Sequence, residues 1–460
     1  MLLVLRNRTY RHLFAAQVIA LVGTGLATVA LSLLAYDIAG DDASAVLGTA
    51  LAIKMIAYVA IAPLVGAVAD RIPRRALLVG MDLTRAGVAL TLPFVTQVWQ
   101  IYVLIFLLQA ASAAFTPAFT ATIPEILPAE RDYTAALSMT RIAYDLESLF
   151  SPALAALLLT VVSSNWLFAG TVVGFAASAA LVVSAALPKP VPAERTGGVY
   201  AKAAFGTRLF WATPRLRALL ALDLAVASAG AIVFVNTVVL VRDHFAKPAG
   251  AVSLALGAYG AGSMLTALVL PRLLRRVTDR ALMLCAAFTL PAVLAAVAAI
   301  TAAAPGTWSW VAVLAAWAAI GAASSAVLTP GGRVVRRSAA DADLPAAFAA
   351  QFSLSHGCWL LTYPLAGWLA AGAGLPTTAV VLGAIALAAA TTATTTWPAR
   401  DPARLDHVHA DLPAGHPHLT NAGRAAQGWR HGHHYVIDQH HRAWPTQSPA
   451  DAGRRVLADR

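Results

Sequence analysis

Nine of the twelve histidines of this chain fall between residues 407 and 441: His407, His409, His416, His418, His431, His433, His434, His440 and His441. Neutral imidazole is a ligand that suits nickel, zinc, copper and cobalt. His407/His409 and His416/His418 have H-x-H spacing. In an extended segment, side chains two apart lie on one side, so each pair can offer both rings to one ion. Asp406, Asp411 and Asp438 are acidic neighbours. This pattern points to a divalent transition metal. The competing explanation is a histidine-biased surface tail that holds no metal in the cell. The histidines are interrupted by varied sequence, unlike an expression tag.

A second set of reactive groups lies in apolar surroundings. Arg141, Asp145 and Glu147 occur in Arg-Ile-Ala-Tyr-Asp-Leu-Glu. Arg141 and Asp145 are four apart and can pair on one helical face. Glu147 is turned away by about half a turn, which leaves a carboxylate for a proton or a cation. Lys54, Asp223 and His356 are the other isolated ionisable residues of interest. Each such group at bilayer depth costs at least about 2.5–3.5 kcal/mol, so each needs a role. Proton coupling and cargo binding is one role, and a buried structural ion network is the other. Lys54 can snorkel outward or face inward. His356 can ligate or titrate near neutral pH, or serve as a helix–helix hydrogen-bonder. Cys358 falls on a different face from His356 and reads as packing. Cys285 is distant, so no disulfide framework is expected.

The elements that must position these groups follow from hydropathy. The chain is 59% hydrophobic and 12% charged, with a mean hydropathy of +0.70. A soluble chain of this length carries about twice that charged fraction. Apolar runs of about 20 residues predict membrane-crossing helices, because backbone groups in lipid must bond within their own segment. The spans read 12–38, 46–69, 76–95, 99–121, 134–162, 165–187, 217–241, 250–271, 281–304, 309–330, 346–371 and 376–397. The expected fold is an all-α membrane protein with twelve transmembrane helices in two pseudo-symmetric six-helix bundles. Its parts are a first bundle (1–190), a linker (191–215), a second bundle (216–397) and a histidine-rich tail (398–460). The tail reads as disordered, since its composition argues against a folded domain. The N-terminal apolar stretch is too short for a signal peptide, so the first helix is expected to be retained.

Loop charges alternate. Arg6, Arg8 and Arg11, then Arg71, Arg74 and Arg75, then Lys189 to Arg217, Arg272 to Arg280 and Arg333 to Arg337 mark one side. Asp41 and Asp42, a neutral turn near Thr96, and Arg242 with Lys247 mark the other. The positive-inside rule then puts both termini in the cytoplasm. The formal charge of +11 is a topology signal and needs no nucleic acid as partner.

The loop after the second span reads Gly66-Ala-Val-Ala-Asp70-Arg71-Ile-Pro-Arg74-Arg75. It resembles the G-x-x-x-D-R-x-x-R-R signature of the major facilitator superfamily. Gly66 permits close helix approach. Asp70 can pair with nearby arginines or cap a facing helix. Asp82 and Arg85, three apart on the next helix, read as structural or gating partners of that loop. The second half has Pro271-Arg-Leu-Leu-Arg-Arg276 in the equivalent place, with the glycine and aspartate lost. Ala114-Phe-Thr-Pro-Ala-Phe-Thr-Ala-Thr-Ile-Pro124 resembles the exporter branch of siderophore and drug efflux permeases. With the histidine-rich end and the segment Ala135–Pro152, the chain is similar to bacterial nickel-resistance permeases.

That resemblance implies export of nickel or cobalt in exchange for protons, by a multi-pass protein of the bacterial inner membrane. Asp145, Glu147, Arg141, His356, Lys54 and Asp223 are then the candidates for transport and proton coupling. The expected partners are lipid, protons and a small cation or small molecule, with the chain acting as a monomer. No resident cofactor is implied beyond a carried or tail-bound divalent metal. There is no G-x-x-x-x-G-K-[ST] loop, so a secondary transporter rather than an ATP-driven one is expected, and no enzyme activity. Export of a drug or siderophore is the alternative. A metal sensor ranks below both.

Overall fold

The computed structural model describes residues 2–39, 43–69, 71–159, 161, 164–188, 199–248, 250–401 and most of 404–445. Asp41, Asp42, Asp70, residues 189–198 and everything after 445 lie outside the described residues. Among the described residues twelve α-helices follow one another: α1 (Arg8–Ala39), α2 (Ala43–Gly66), α3 (Arg74–Thr91), α4 (Val98–Ile126), α5 (Glu130–Leu159), α6 (Ser164–Ser184), α7 (Val199–Ala212), α8 (Pro214–Val239), α9 (Gly250–Leu273), α10 (Asp279–Ala302), α11 (Thr307–Arg336) and α12 (Leu344–Thr396). Helix α12 is two spans. Gly374 breaks it with φ +82°, a left-handed conformation that glycine adopts without steric cost. Among the described residues eight helices are long and apolar enough to cross a membrane, the last being this double one. With α1, α2 and α5 the chain crosses twelve times, six times on each side of α7.

The same helix pairings recur in the two halves. In the first, α1 packs on α6, α2 on α4, and α3 on α4 and α6. In the second, α8 packs on α12, α9 on α11, and α10 on α11 and α12. The bundles touch through α2 with α12 and α5 with α9. Gly66 makes the first of these contacts close, since a Cβ there would lie 2.6 Å from Ala349 Cβ.

Two expectations need correction. The stretch between the bundles is not only a polar linker. It contains α7, whose Leu209 and Phe210 are fully buried in the core of the second bundle. The charge and Pro/Gly content nearby hid a short apolar face. Nor is the segment after Trp397 disordered throughout. Strands β1 (Arg404–His409), β2 (Gly423–Ala425) and β3 (Gly428–His434) form an antiparallel sheet in the order β1-β3-β2. Leu405, Tyr435 and Ile437 are buried in the core of the second bundle. Apolar residues scattered among the histidines thus find a surface outside their own segment. Composition alone, which counts only what the segment can bury within itself, misses that.

Candidate metal centre and intramembrane polar sites

The sheet register sets the histidine arrangement. In β1, His407 and His409 share a face, and in β3 so do His431 and His433. His407 sits directly across from His431. His418 enters from the turn Pro417–Leu419 and His441 from the segment after β3. Six imidazoles converge. The ring centroid of His407 lies 4.7–4.8 Å from those of His409, His431, His433 and His441.

Four Nε2 atoms form a closed ring of contacts. His407 to His409 is 3.0 Å, His409 to His418 3.2 Å, His418 to His441 3.2 Å and His441 to His407 2.9 Å. A metal–nitrogen bond of about 2.0–2.1 Å puts the nitrogens of a tetrahedral site about 3.3 Å apart. The tautomers sharpen this. The Nδ1 of His407 faces the Leu405 carbonyl at 3.1 Å, and a carbonyl only accepts, so this Nδ1 carries the proton. The Nδ1 of His441 donates to Asp438 Oδ1 at 2.9 Å. When neutral, both rings therefore present bare lone pairs on Nε2, facing each other at 2.9 Å. A cation shared between them, a metal ion or a proton, makes that contact favourable. The Nε2 atoms of His431 and His433 are buried without a hydrogen-bond partner, a further reserve of donors.

Electrostatics keep the donors ready. Burial, and then the neighbouring rings, push His407 and His418 down to about 4, against the Leu405 hydrogen bond that raises His407. Burial alone would raise Asp438. The hydrogen bond from His441, its charge, and the amides of His440 and His441 outweigh it and hold this carboxyl at about 2. Asp438 is thus an ionised anchor that orients His441, the carboxylate–histidine arrangement common behind metal ligands. Three of the nine predicted histidines stand outside the cage. His416 accepts from the His418 amide at 3.2 Å and shapes the turn. His440 bonds Asp438 through its amide. His434 faces a cavity towards the bundles.

Inside the membrane the predicted residues separate into three sites. Arg141 Nη2 pairs with Asp145 Oδ1 at 3.0 Å, as the spacing predicts. Both also bind Ser263 of α9. Arg141 Nε donates to its hydroxyl (3.0 Å), which donates to Asp145 Oδ2 (2.6 Å). The pair is therefore a link between bundles, which a serine in an apolar helix gave no reason to foresee. Glu147 faces elsewhere, within electrostatic range of Lys54. Lys54 thus looks inward, 5.7 Å from the Tyr58 ring. Tyr58 donates to Gln109 Oε1 (3.0 Å) and stands edge-on to His356, 4.8 Å between centroids. His356 Nδ1 donates to the Phe352 carbonyl at 2.7 Å, which leaves its Nε2 as an acceptor. Lys54, Glu147, Tyr58 and His356 so form one polar centre between α2, α5 and α12. Asp223 is apart from it, 2% exposed and bonded by Gln351 Nε2 at 2.7 Å within the second bundle.

Arg74 and Arg75 of the signature loop bond within the first bundle, while Asp70 lies outside the described residues. Arg74 bonds Thr122 (3.1 Å) and pairs with Glu125 of α4, and Arg75 bonds the Ala185 carbonyl (2.7 Å). Arg71 is exposed. Asp82 pairs with Arg85 and accepts from Ser178 (2.7 Å), while Arg85 lies over Phe115 and Phe175. Those two residues tie α3 to α4 and α6 rather than to the loop. Besides Arg141, two arginines of α11 bridge the bundles. Arg333 pairs with Glu130 of α5 and with Asp279 (3.1 Å), and Arg336 bonds the Pro128 carbonyl (2.9 Å). In the sequence these arginines carry only a topology signal.

Residues 13–290 match the Major Facilitator Superfamily, more than half of the chain. The chain belongs to that superfamily. Its members are transporters. The chain is 26% identical over 182 residues to macrolide efflux protein A of Streptococcus pyogenes, covering 38% of this chain and 44% of that protein. It is 25% identical over 227 residues to the uncharacterised transporter YfiS of Bacillus subtilis, covering 48% and 53%. The chain spans about half the length of these curated relatives. In fold it is similar to the human organic anion transporter MFSD10 (TM-score 0.70, 13% identity, 84% of this chain and 99% of that one). It is also similar to a bacterial homologue of the iron transporter ferroportin in an outward-facing state (TM-score 0.68, 15% identity, 84% and 99%).

Proposed function

We propose that this chain exports a divalent transition-metal cation from the bacterial cytoplasm in exchange for protons, with the imidazole cage as its cytoplasmic metal receptor. The observation that carries the proposal is the ring of four Nε2 atoms at 2.9–3.2 Å, two of them with lone pairs turned on each other. An all-imidazole donor set suits nickel, zinc and copper and passes over magnesium and calcium, which take oxygen. Resemblance to nickel-resistance permeases favours nickel or cobalt. The arginine-rich end of the bundles, to which the cage is attached, is the cytoplasmic end by the positive-inside rule.

In the membrane the cargo path runs by Glu147, Lys54 and His356. A proton on Glu147 frees Lys54 from its counter-charge, and a divalent cation on Glu147 and the His356 Nε2 competes with that proton. Competition at one site gives exchange without a second energy source. Asp145 acts through the Arg141–Ser263 link, so its charge bears on how α5 and α9 move against each other.

A second reading, export of an organic solute, is favoured by the curated efflux relatives and by an aromatic group in the second bundle. Phe234, Tyr259, Trp359 and Tyr363 have neighbouring rings 5.1–6.0 Å apart. Uptake into inverted vesicles under an imposed proton gradient separates the two. Metal export predicts gradient-driven accumulation of nickel or cobalt that Glu147→Gln lowers about tenfold or more. Accumulation of a macrolide with no metal movement would overturn the metal assignment.

A further inference from the structure

The cage is not tethered loosely to the transporter. Between α12 and β1, Asp401 accepts from Arg215 Nη1 (3.1 Å), Arg337 Nη2 (2.6 Å) and Trp397 Nε1 (3.1 Å). Arg215 continues to Ser338 Oγ (2.7 Å) and the Arg337 carbonyl (2.6 Å), and its guanidinium lies over Trp444 at 5.0 Å. The module is thus clamped onto the C-terminal end of α11, next to Arg336 and one turn from Arg333. Tyr435 joins the two sides. Its ring touches the cage at His407 and His441 (4.9 and 4.5 Å between centroids), yet it is only 5% exposed and packs in the core of the second bundle. Its neighbours on either side along the chain reach the bundle interface. His434 and Val436 line a cavity of about 980 Å3 whose opposite wall is Pro128, Glu130 and Tyr133 of the first bundle.

Across that cavity the bundles are held shut by α11. Arg333 pairs with Glu130 and bonds Thr134 Oγ1, Arg336 lies 5.1 Å over the Tyr133 ring, and the Tyr133 hydroxyl donates to the Gly332 carbonyl (3.2 Å). Opening this end means drawing α11 away from α5.

We propose that the module is an allosteric metal switch: a transition-metal ion bound in the cage holds this arginine gate closed. The proposal rests on the metal reading above. An ion ligated by His407, His409, His418 and His441 fastens β1, the 417–419 turn and residue 441 into one body, and β3 is held to it by its pairing with β1. That body includes Tyr435 and Val436, and so fixes the end of α11 in the position from which its arginines reach α5. In an exporter this is the step after loading, so the bound ion biases the cycle toward release and against backflow. Coupling of this kind is reciprocal: closing the gate tightens metal binding by the same factor by which metal favours closure.

The test uses the full-length protein in lipid nanodiscs, with Cys285→Ser and Cys358→Ser and spin labels at Arg131→Cys on α5 and Arg272→Cys on α9. Distances are measured with and without nickel(II), and nickel binding is measured on the same samples. Nickel should raise the ratio of short to long distances by about fivefold or more, the lower range of allosteric coupling. The variant in which His407, His409, His418 and His441 are all alanine should not respond. Asp401→Asn should still bind nickel but lose most of the distance change, and Glu130→Gln should weaken nickel binding by a similar factor. Nickel bound with unchanged distances would overturn the switch and leave the metal reading standing. No nickel bound at all would overturn both. A distance change that persists undiminished in Asp401→Asn would show that the clamp is not the route, and would overturn the proposal as stated.

Discussion

In the bundles, opposite charges have been brought together: Asp82 with Arg85, Asp145 with Arg141, Glu147 near Lys54. In the module, like has been brought to like, six imidazoles around one point. Physical cost explains the contrast. An unpaired charge at bilayer depth is expensive, so membrane carboxylates come with partners and act only when a pairing is exchanged. A neutral ring carries no such penalty and can be crowded on a small sheet outside the lipid. Its crowding then becomes favourable through a cation. Binding capacity is built where donors face each other, and coupling is built where pairs must break.

The comparison breaks most readily in the module. Replacing His407, His409, His418 and His441 with alanine should weaken metal binding by more than the ~10–100-fold typical of losing an outer partner. Competition against a chromophoric chelator measures it, and an unchanged affinity would mean that the lone-pair geometry has nothing to do with metal. Asp438→Asn should cost about 10–100-fold in the same assay, because His441 loses the group that fixes its tautomer. Gradient-driven efflux should fall about tenfold or more in Glu147→Gln, while the module binds metal as before. If binding fell too, the two regions would not be the separate devices described. The smallest effect belongs to Ser263→Ala. Interhelical hydrogen bonds in membranes contribute about 0.6 kcal/mol on average, so thermal stability in detergent should drop only slightly, with a clearer change in transport rate.

Much of the bundle was legible because lipid imposes a simple rule. Helix length, the break near Gly374 and the Arg141–Asp145 spacing follow from hydropathy and the 3.6-residue period. The individual partners of those residues were not legible. Ser263, Gln109 and Gln351 are ordinary polar residues in their own helices, and only the packing of one helix on another brings them to Asp145, Tyr58 and Asp223. The signature loop shows the same limit. Its spacing marked the superfamily, but Arg74 and Arg75 bond within the first bundle, and Arg333 and Arg336 join Arg141 in bridging the two.

By itself the sequence determined what each segment had to satisfy locally: helices where no water can bond the backbone, arginines at one end, and imidazoles at strand spacing in the tail. Tertiary structure decided which of those imidazoles meet. His416 and His418 have the same H-x-H spacing as His407 and His409, yet one stays outside the cage and the other enters it. The reason is that ligand geometry depends on positions brought together from 407, 418 and 441. Those positions are fixed by strand pairing and by Leu405, Tyr435 and Ile437 burying against the second bundle, a surface that lies elsewhere in the chain.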